Sequence, residues 1–116
     1  MNTKYTELIQ KAYAGFNARD IDAVFTTMHP DVNWPKAFEG DFVIGYDEVR
    51  AYWTRQWSEI DPIVEPLSIN ERTDGKVVVE VQQLVKDMED NILFNGKVNH
   101  VYLINNDLIK SMEIEV

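Results

Sequence analysis

Histidine is the residue type in this sequence best suited to acid–base chemistry, and the chain has two, His29 and His100. The unperturbed pKa of imidazole lies near neutrality, so the ring can take up or release a proton at physiological pH. His100 lies in the apolar run VNHVYLI, directly after Asn99 and two residues before Tyr102. Because successive residues of a strand point to opposite faces, Asn99 and His100 cannot both face an interior. We expect His100 to face inward, together with Tyr102.

Neither a metal site nor a bound cofactor is predicted. The tripeptide His29-Pro30-Asp31 holds two possible metal ligands. Two ligands this close with no third partner make a poor site, so we interpret the tripeptide as a helix stop and turn. The sequence has no cysteine, which excludes disulfides, thiol nucleophiles and thiolate metal sites. It also lacks a Gly-rich phosphate loop, and the FNGK segment around Gly96 is more typical of a strand interrupted by a bulge.

The composition favours a globular protein and argues against two classes of partner. Hydrophobic residues make up 45% of the 116 residues, which predicts one domain over residues 1–116 with a single core. The formal net charge of −9 argues against binding to nucleic acid or to an anionic membrane surface. The N-terminal segment has no apolar signal region, and no apolar run is long enough to span a membrane. We therefore expect a cytoplasmic protein.

Three helices are predicted from apolar residues that recur at helical spacing. The first spans residues 3–17. Asp20 is a suitable N-cap for a second, shorter helix whose apolar residues run to Met28. The third helix is expected to begin near Asp47 and to end at Pro62. Its apolar face is formed by Val49, Tyr52, Trp53, Trp57 and Ile60.

Beyond Pro62 the spacing changes to runs rich in valine, isoleucine and leucine with partial alternation, which is typical of strands. Short turn segments separate these runs, which favours antiparallel hairpins over the long crossovers that parallel strands need. Four strands are predicted over residues 64–73, 76–86, 92–105 and 108–116. One further short strand is predicted from Asp31 to Pro35. Helices followed by a four-stranded meander make an α+β fold.

The predicted strand over residues 76–86 carries information about both faces of the sheet. From Val77 to Val81 it is apolar on both faces except at Glu80. The helices can cover one face only, so we expect a homodimer that forms through the other, outer face. Gln83 shares a face with the valines at 77, 79 and 81 and is therefore expected to be buried. A buried amide needs a hydrogen-bond partner, which a ligand or a water could supply.

Three segments together resemble a known superfamily. They are AYAGFNARDIDAVFTTMHPDVNW, GYDEVRAYW and HVYLINNDLIKSMEIE, which contain an N-x-x-D signature, a PDV-x-W strand and a G-x-x-x-V-R-x-Y helix. Across essentially the whole chain the sequence resembles the NTF2-like superfamily, and within it the SnoaL-like and ketosteroid-isomerase-like group. The resemblance implies a cone in which three N-terminal helices pack on a curved, mostly antiparallel sheet around an internal pocket. It also implies dimerisation through the sheet.

The same resemblance implies which residues line the pocket, because in this family the short strand and the start of the third helix lie along its wall. The expected lining residues are Phe16, Trp34, Phe38, Tyr46 and Trp53. The strand pattern adds Gln83 as a polar contributor, together with at least one of Asn99 and His100. Tyr13 falls where the family places the tyrosine of an oxyanion hole. The step from Asn99 to His100 falls where a protonated aspartate stands in ketosteroid isomerases.

Steroid isomerase activity itself is not expected. That mechanism needs a carboxylate base, which the resemblance places at the step from Trp34 to Pro35, and neither residue is acidic. The Asp-Arg-Asp arrangement of epoxide-opening relatives is also unsupported, since no arginine lies in the middle of the meander.

The remaining catalytic hypothesis is acid–base chemistry on a small apolar, carbonyl-bearing metabolite, of the isomerase, cyclase or dehydratase type. His100 would be the acid or base, and Tyr13 and Tyr102 would donate hydrogen bonds. We expect burial to lower the pKa of His100 and to keep the ring neutral. Two alternatives stay open. The protein could bind a hydrophobic ligand without catalysis, or it could be a protein–protein interaction module.

Overall fold

The computed structural model describes residues 5–36 and 40–115. Within these residues the chain forms three helices and six strands. In chain order they are α1 (Thr6–Asn17), α2 (Ile21–Phe25), β1 (Met28–Pro35), β2 (Phe42–Ile44), α3 (Gly45–Glu59), β3 (Ile60–Glu71), β4 (Val77–Asp87), β5 (Ile92–Asn105) and β6 (Leu108–Glu115). The predicted α+β class is confirmed.

All six strands join one curved sheet in the order β2-β1-β6-β5-β4-β3. Every neighbouring pair is antiparallel except β1 and β6, which run parallel. The predicted four-stranded meander is confirmed as β3 to β6, and β1 adds to it beside the last strand. The ladder shifts register after Pro66, after Leu103 and after Val85, and such irregularities bend and twist a strand. The sheet can therefore wrap around the helices as one wall of a cone.

The second helix is shorter than predicted. Asp20 caps it as expected, since its carboxylate accepts a hydrogen bond from the backbone N–H of Ala23 at 3.2 Å. The helix ends at Phe25, and Met28, which was predicted to lie on it, is the buried first residue of β1. The prediction that residues 29–31 form a turn is also wrong, because these residues lie within β1. This strand pairs with β6, the last strand of the chain, at Met28 and at Asn33, and a local pattern cannot reveal so distant a partner.

The third helix ends earlier than predicted, at Glu59. Ile60 was predicted on its apolar face but is the first residue of β3, and Pro62 lies buried inside that strand. Proline lacks the N–H of a ladder bond, so it is tolerated in strands chiefly at the edge of a sheet. β3 is such an edge strand, which explains why Pro62 does not terminate the structure there.

The strand β2 was not predicted. It has only three residues and pairs with the end of β1, with Trp34 opposite Val43. A run of three residues is too short for an alternating pattern to be recognised. Its effect is to hold the end of β1, and therefore Trp34, in place beside α3.

The core lies between the helices and the inner face of the sheet. Alternate residues of β4 are buried there, and Trp53 of α3 is the largest fully buried side chain, with 1% of its surface exposed. Its ring lies 5.3 Å from Phe16, 5.6 Å from Trp34 and 5.7 Å from Trp57 between centroids. Aromatic pairs at these separations add to the stability that burial provides. This aromatic cluster forms one side of an internal cavity.

Candidate functional site

A cavity of about 60 Å³, partly open to solvent, lies between the helices and the inner face of the sheet. A buried water occupies about 10–15 Å³ of such space, so the cavity has room for several waters or for part of a small ligand that extends through its open side. Most of its wall is apolar. The apolar lining includes Phe16, Trp34, Pro35, Trp53, Val64 and Met112. The polar lining consists of Tyr13, Tyr52, Gln56, Gln83, His100 and Tyr102.

Three polar side chains form a hydrogen-bonded chain along the cavity wall. The hydroxyl of Tyr102 donates to the hydroxyl of Tyr13 at 2.7 Å. The Tyr13 hydroxyl in turn lies 2.7 Å from Nδ1 of His100. The rings of Tyr13 and His100 are nearly parallel, at 10° with centroids 5.8 Å apart. Among the described residues, His100 therefore makes its hydrogen bond through Nδ1. Nε2 is the ring nitrogen that stays available to a ligand.

Strand alternation positions two members of this chain. His100 and Tyr102 are two residues apart on β5 and point to the inner face, where they pair with valines of β4 on one side and with β6 on the other. Asn99 points to the opposite face. Tyr13 comes from α1, where it lies on the buried stripe with Ile9 and Ala12. The site is therefore assembled across the contact between α1 and the sheet.

Burial keeps this chain of side chains neutral. It lowers the pKa of His100 to about 4, because the apolar surroundings disfavour the charged ring. Burial also raises the pKa of Tyr13 well above its ordinary value, and the neighbouring Tyr102 raises it further. The pKa of Tyr102 is raised for the same reason, although its hydrogen bond with Tyr13 acts in the opposite direction. At pH 7 the imidazole and both phenols are uncharged.

Two primary amides also face the cavity. Gln83 of β4 is 9% exposed, and its side chain makes no hydrogen bond to the residues that the structure describes. Gln56 of α3 is 8% exposed, and its Nε2 donates to the hydroxyl of Tyr52 at 2.9 Å. Buried amides normally have hydrogen-bond partners, so the open positions on these two groups mark a place for a ligand or water.

Most of the residues predicted from the sequence to form the site do meet at this cavity. They are Tyr13, Phe16, Trp34, Trp53, Gln83, His100 and Tyr102. Phe38 lies outside the described residues. No sequence signal singled out Gln56 as a site residue, although its position one turn after Tyr52 places it on the buried face of α3.

Tyr46 and Asn99 are corrections to the predicted lining. Tyr46 lies on the same stripe of α3 as Trp53 but two turns earlier, about 10 Å along the helix axis. Its ring stacks on Phe25, and its hydroxyl donates to the backbone carbonyl of Met28 at 2.6 Å, so it seals the junction of α2 and β1 instead. Asn99 lies on the outer face of the sheet, because His100 takes the inward position.

No carboxylate lines the cavity among the described residues, and Pro35 occupies the wall where the family's base was expected. His29 lies on β1 with Nε2 2.8 Å from the carbonyl oxygen of Asn105, away from the cavity. The described parts of the chain contain no group of three or more histidine, aspartate and glutamate side chains placed to hold a metal ion. Nor do they contain a helix both long and apolar enough to cross a membrane.

A cone-shaped sheet closed by three helices around a small cavity is the NTF2-like architecture. The family model of the SnoaL-like domain matches residues 9–111, and the chain belongs to this family. No protein of curated function matches the sequence significantly.

Solved structures share the fold over nearly the whole chain. An NTF2-like protein of unknown function from Burkholderia pseudomallei superimposes with a TM-score of 0.83 at 21% identity, over 98% of this chain and 91% of that one. TerC, co-crystallised with polyporic acid, also gives a TM-score of 0.83, at 24% identity over 97% and 90% of the two chains. The epoxide hydrolase/cyclase-like enzyme SalBIII, described as acting in pyran ring formation in salinomycin, gives 0.80 at 18% identity over 97% and 89%.

Proposed function

We propose that this protein is a cofactor-independent acid–base catalyst of the isomerase, cyclase or dehydratase type, acting on a small apolar compound that carries a carbonyl group. The observation that carries the proposal is the hydrogen-bonded chain from Tyr102 through Tyr13 to His100, set in a cavity whose other walls are mostly apolar. A buried imidazole that is held in place by a tyrosine is suited to moving a proton to or from a ligand in the cavity.

The roles follow from where the hydrogens lie. With the imidazole hydrogen on Nδ1, that N–H donates to the oxygen of Tyr13, which also accepts from Tyr102. The lone pair of Nε2 then faces the ligand and can accept a proton from a carbon next to the carbonyl. The remaining O–H of Tyr13 can donate to the carbonyl oxygen as it becomes an enolate. The imidazolium formed afterwards returns its proton to another atom of the intermediate.

The environment of His100 also indicates which protons it can remove. A pKa of about 4 keeps the ring neutral and ready to accept a proton at pH 7, but it also makes the ring a weak base. A weak base is effective only on a relatively acidic proton. Suitable substrates have a C–H flanked by a carbonyl and by a second activating group, such as another carbonyl or a double bond.

Membership of the SnoaL-like family supports a role of this general type. Two structural neighbours are consistent with it in chemistry. SalBIII is described as epoxide hydrolase/cyclase-like, and TerC was co-crystallised with polyporic acid, an organic ligand.

The test is the isomerisation of cyclohex-3-en-1-one to cyclohex-2-en-1-one, followed by the ultraviolet absorbance of the conjugated product. The reaction breaks a C2–H bond, moves the double bond into conjugation and returns a proton to C4. We expect catalysis above the buffer rate, and a loss of about a hundredfold to ten-thousandfold in His100→Gln. His29→Gln is the matched control, because this second histidine lies outside the cavity.

A non-catalytic ligand-binding protein is the second candidate, and the absence of a carboxylate at Pro35 favours it. Saturable binding of the ketone, with a conversion rate equal in wild type, His100→Gln and buffer, would support this candidate and contradict the catalytic proposal.

A further inference from the structure

The two cavity amides have no part in the proton transfer just described. Gln83 is on the sheet wall and Gln56 is on the helix wall, and each is at least nine-tenths buried. The other inward positions of β4 are valines, at 77, 79, 81 and 85. Packing alone would accept an apolar residue at position 83, so the amide there calls for a polar partner.

The neighbouring strand leaves the amide of Gln83 accessible. Its cross-strand partner on β5 is Gly96, which has no side chain to cover it. A Cβ at position 96 would come within 3.2 Å of the ring of Phe94, so β5 accommodates a larger residue there only if that ring moves. The space beside the amide is therefore a feature of the local packing, and it faces the same cavity as His100.

The chemistry of the two amides defines the group that would satisfy them. Nε2 of Gln56 donates one of its two hydrogens to Tyr52, which leaves the second N–H as a donor and Oε1 as an acceptor. Gln83 offers both a donor and an acceptor. A hydroxyl group can donate to one amide and accept from the other. A charged group fits poorly, because no charged side chain among the described residues lines the cavity to balance it.

We propose that Gln83 and Gln56 are specificity-determining residues that select a neutral ligand bearing a hydroxyl group in addition to its carbonyl. The hydroxyl would bind between the amides of the sheet and helix walls while the carbonyl meets Tyr13 and His100. The placement of the carbonyl rests on the proposed function, whereas selection of the hydroxyl requires binding only. Since the cavity holds about 60 Å³, the two polar groups of the ligand are separated by only a few atoms.

The test compares cyclohexanone with 4-hydroxycyclohexanone by NMR titration of the wild-type protein and two variants. We expect the wild type to bind the hydroxylated ketone about tenfold more tightly, the equivalent of one net hydrogen bond. In Gln83→Leu this preference should disappear, with cyclohexanone bound at least as well as before. Gln82→Leu is the matched control and should keep the preference, because Gln82 lies on the outer face and donates to Asn95.

Equal dissociation constants in the wild type, including the absence of binding by either ketone, would overturn the inference and leave water as the partner of the amides. A preference that survives in Gln83→Leu would overturn it as well. Gln83→Met, which keeps the length of the side chain, serves as a second variant if Gln83→Leu does not fold. If the wild-type protein discriminates between the ketones but does not isomerise cyclohex-3-en-1-one, the proposed function is contradicted and this inference is supported. If it isomerises the enone but does not discriminate between the ketones, the proposed function is supported and this inference is contradicted.

Discussion

The hydroxyl of Tyr13 lies 2.7 Å from Nδ1 of His100, although the two residues are 87 positions apart in the chain. Tyr13 belongs to α1 and His100 to β5, so this contact ties the helical layer to the sheet at the cavity wall. It also fixes the orientation of the imidazole and leaves Nε2 as the nitrogen that can meet a ligand. The proposed chemistry depends on this one pair.

Removing the hydroxyl of Tyr13 tests its role directly. In Tyr13→Phe we expect isomerisation of cyclohex-3-en-1-one to slow by about a hundredfold to a thousandfold, the usual effect of losing one donor to a developing oxyanion. Tyr102→Phe should slow the reaction less, because Tyr102 acts through Tyr13 and does not meet the carbonyl itself. The rates of both variants are compared after circular dichroism has shown that they are folded to the same extent. We expect Tyr13→Phe to be the slower of the two. An unchanged rate in Tyr13→Phe would show that its hydroxyl takes no part.

The stability of the protein should depend on pH through His100. The ordinary histidine pKa of 6.5 applies to the unfolded chain, whereas burial lowers it to about 4 in the folded protein. Between these values the unfolded state binds more protons, so the free energy of unfolding falls as the pH drops. We expect a loss of about 3 kcal/mol from pH 7 to pH 4.

Urea unfolding of the wild type and of His100→Gln over this pH range measures that contribution. Carboxylate groups titrate alike in both proteins, so their effect cancels in the difference. The difference in unfolding free energy between the wild type and His100→Gln should change between about pH 6.5 and pH 4. Above about pH 6.5 this difference should be constant. A difference that stays constant across the range would mean that His100 titrates normally in the folded state.

Trp53 is expected to stabilise the fold as well as to line the cavity. Because only 1% of its surface is exposed and it contacts Phe16, Trp34 and Trp57, Trp53→Ala should lower the free energy of unfolding by about 3–5 kcal/mol. Trp34→Ala should cost less, since Trp34 is only partly buried. Chemical denaturation of both variants provides the comparison. If both variants lose a similar, small amount of unfolding free energy, Trp53 would instead be a ligand contact that contributes little to stability.

The fold followed from the sequence to the extent that it depends on local periodicity. Helical spacing located α1, and alternation in β4 and β5 was enough to put Gln83, His100 and Tyr102 on one face. Errors arose where a distant partner decides the outcome. Residues 29–31 lie in a strand that β6 pairs with on either side of them, at Met28 and at Asn33. Pro62 is accepted in β3 because that strand is an edge.

The composition of the cavity was harder to predict for the same reason. Tyr46 and Trp53 share one stripe of α3, and no local pattern tells which turn of that helix reaches the opening between α1 and the sheet. Gln56 was missed because a glutamine on a helix is ordinarily exposed. Its burial depends on Tyr52 and on the sheet opposite, which only the assembled structure brings together.

Self-association through the outer face of the sheet is a further proposal. That face carries Leu103, which is 42% exposed, and the partly buried Val78. We expect light scattering to give twice the 13.5 kDa chain mass, and Leu103→Glu to shift it to the monomer. Met88→Glu is the matched control, because Met88 is 61% exposed and lies in the turn between β4 and β5. A monomer mass for the wild type at high concentration would contradict the dimer.

The most direct test of the central claim, that His100 is a neutral base with Nε2 open to the ligand, is ¹⁵N NMR of its imidazole ring. A His29→Gln background leaves a single histidine, so the two nitrogen signals are assigned without ambiguity. We predict a neutral ring at pH 7 with the hydrogen on Nδ1, a pKa of about 4, and a shift of the Nε2 signal when cyclohex-3-en-1-one is added. A pKa near 6.5, with ring signals that do not respond to the ketone, would contradict the account.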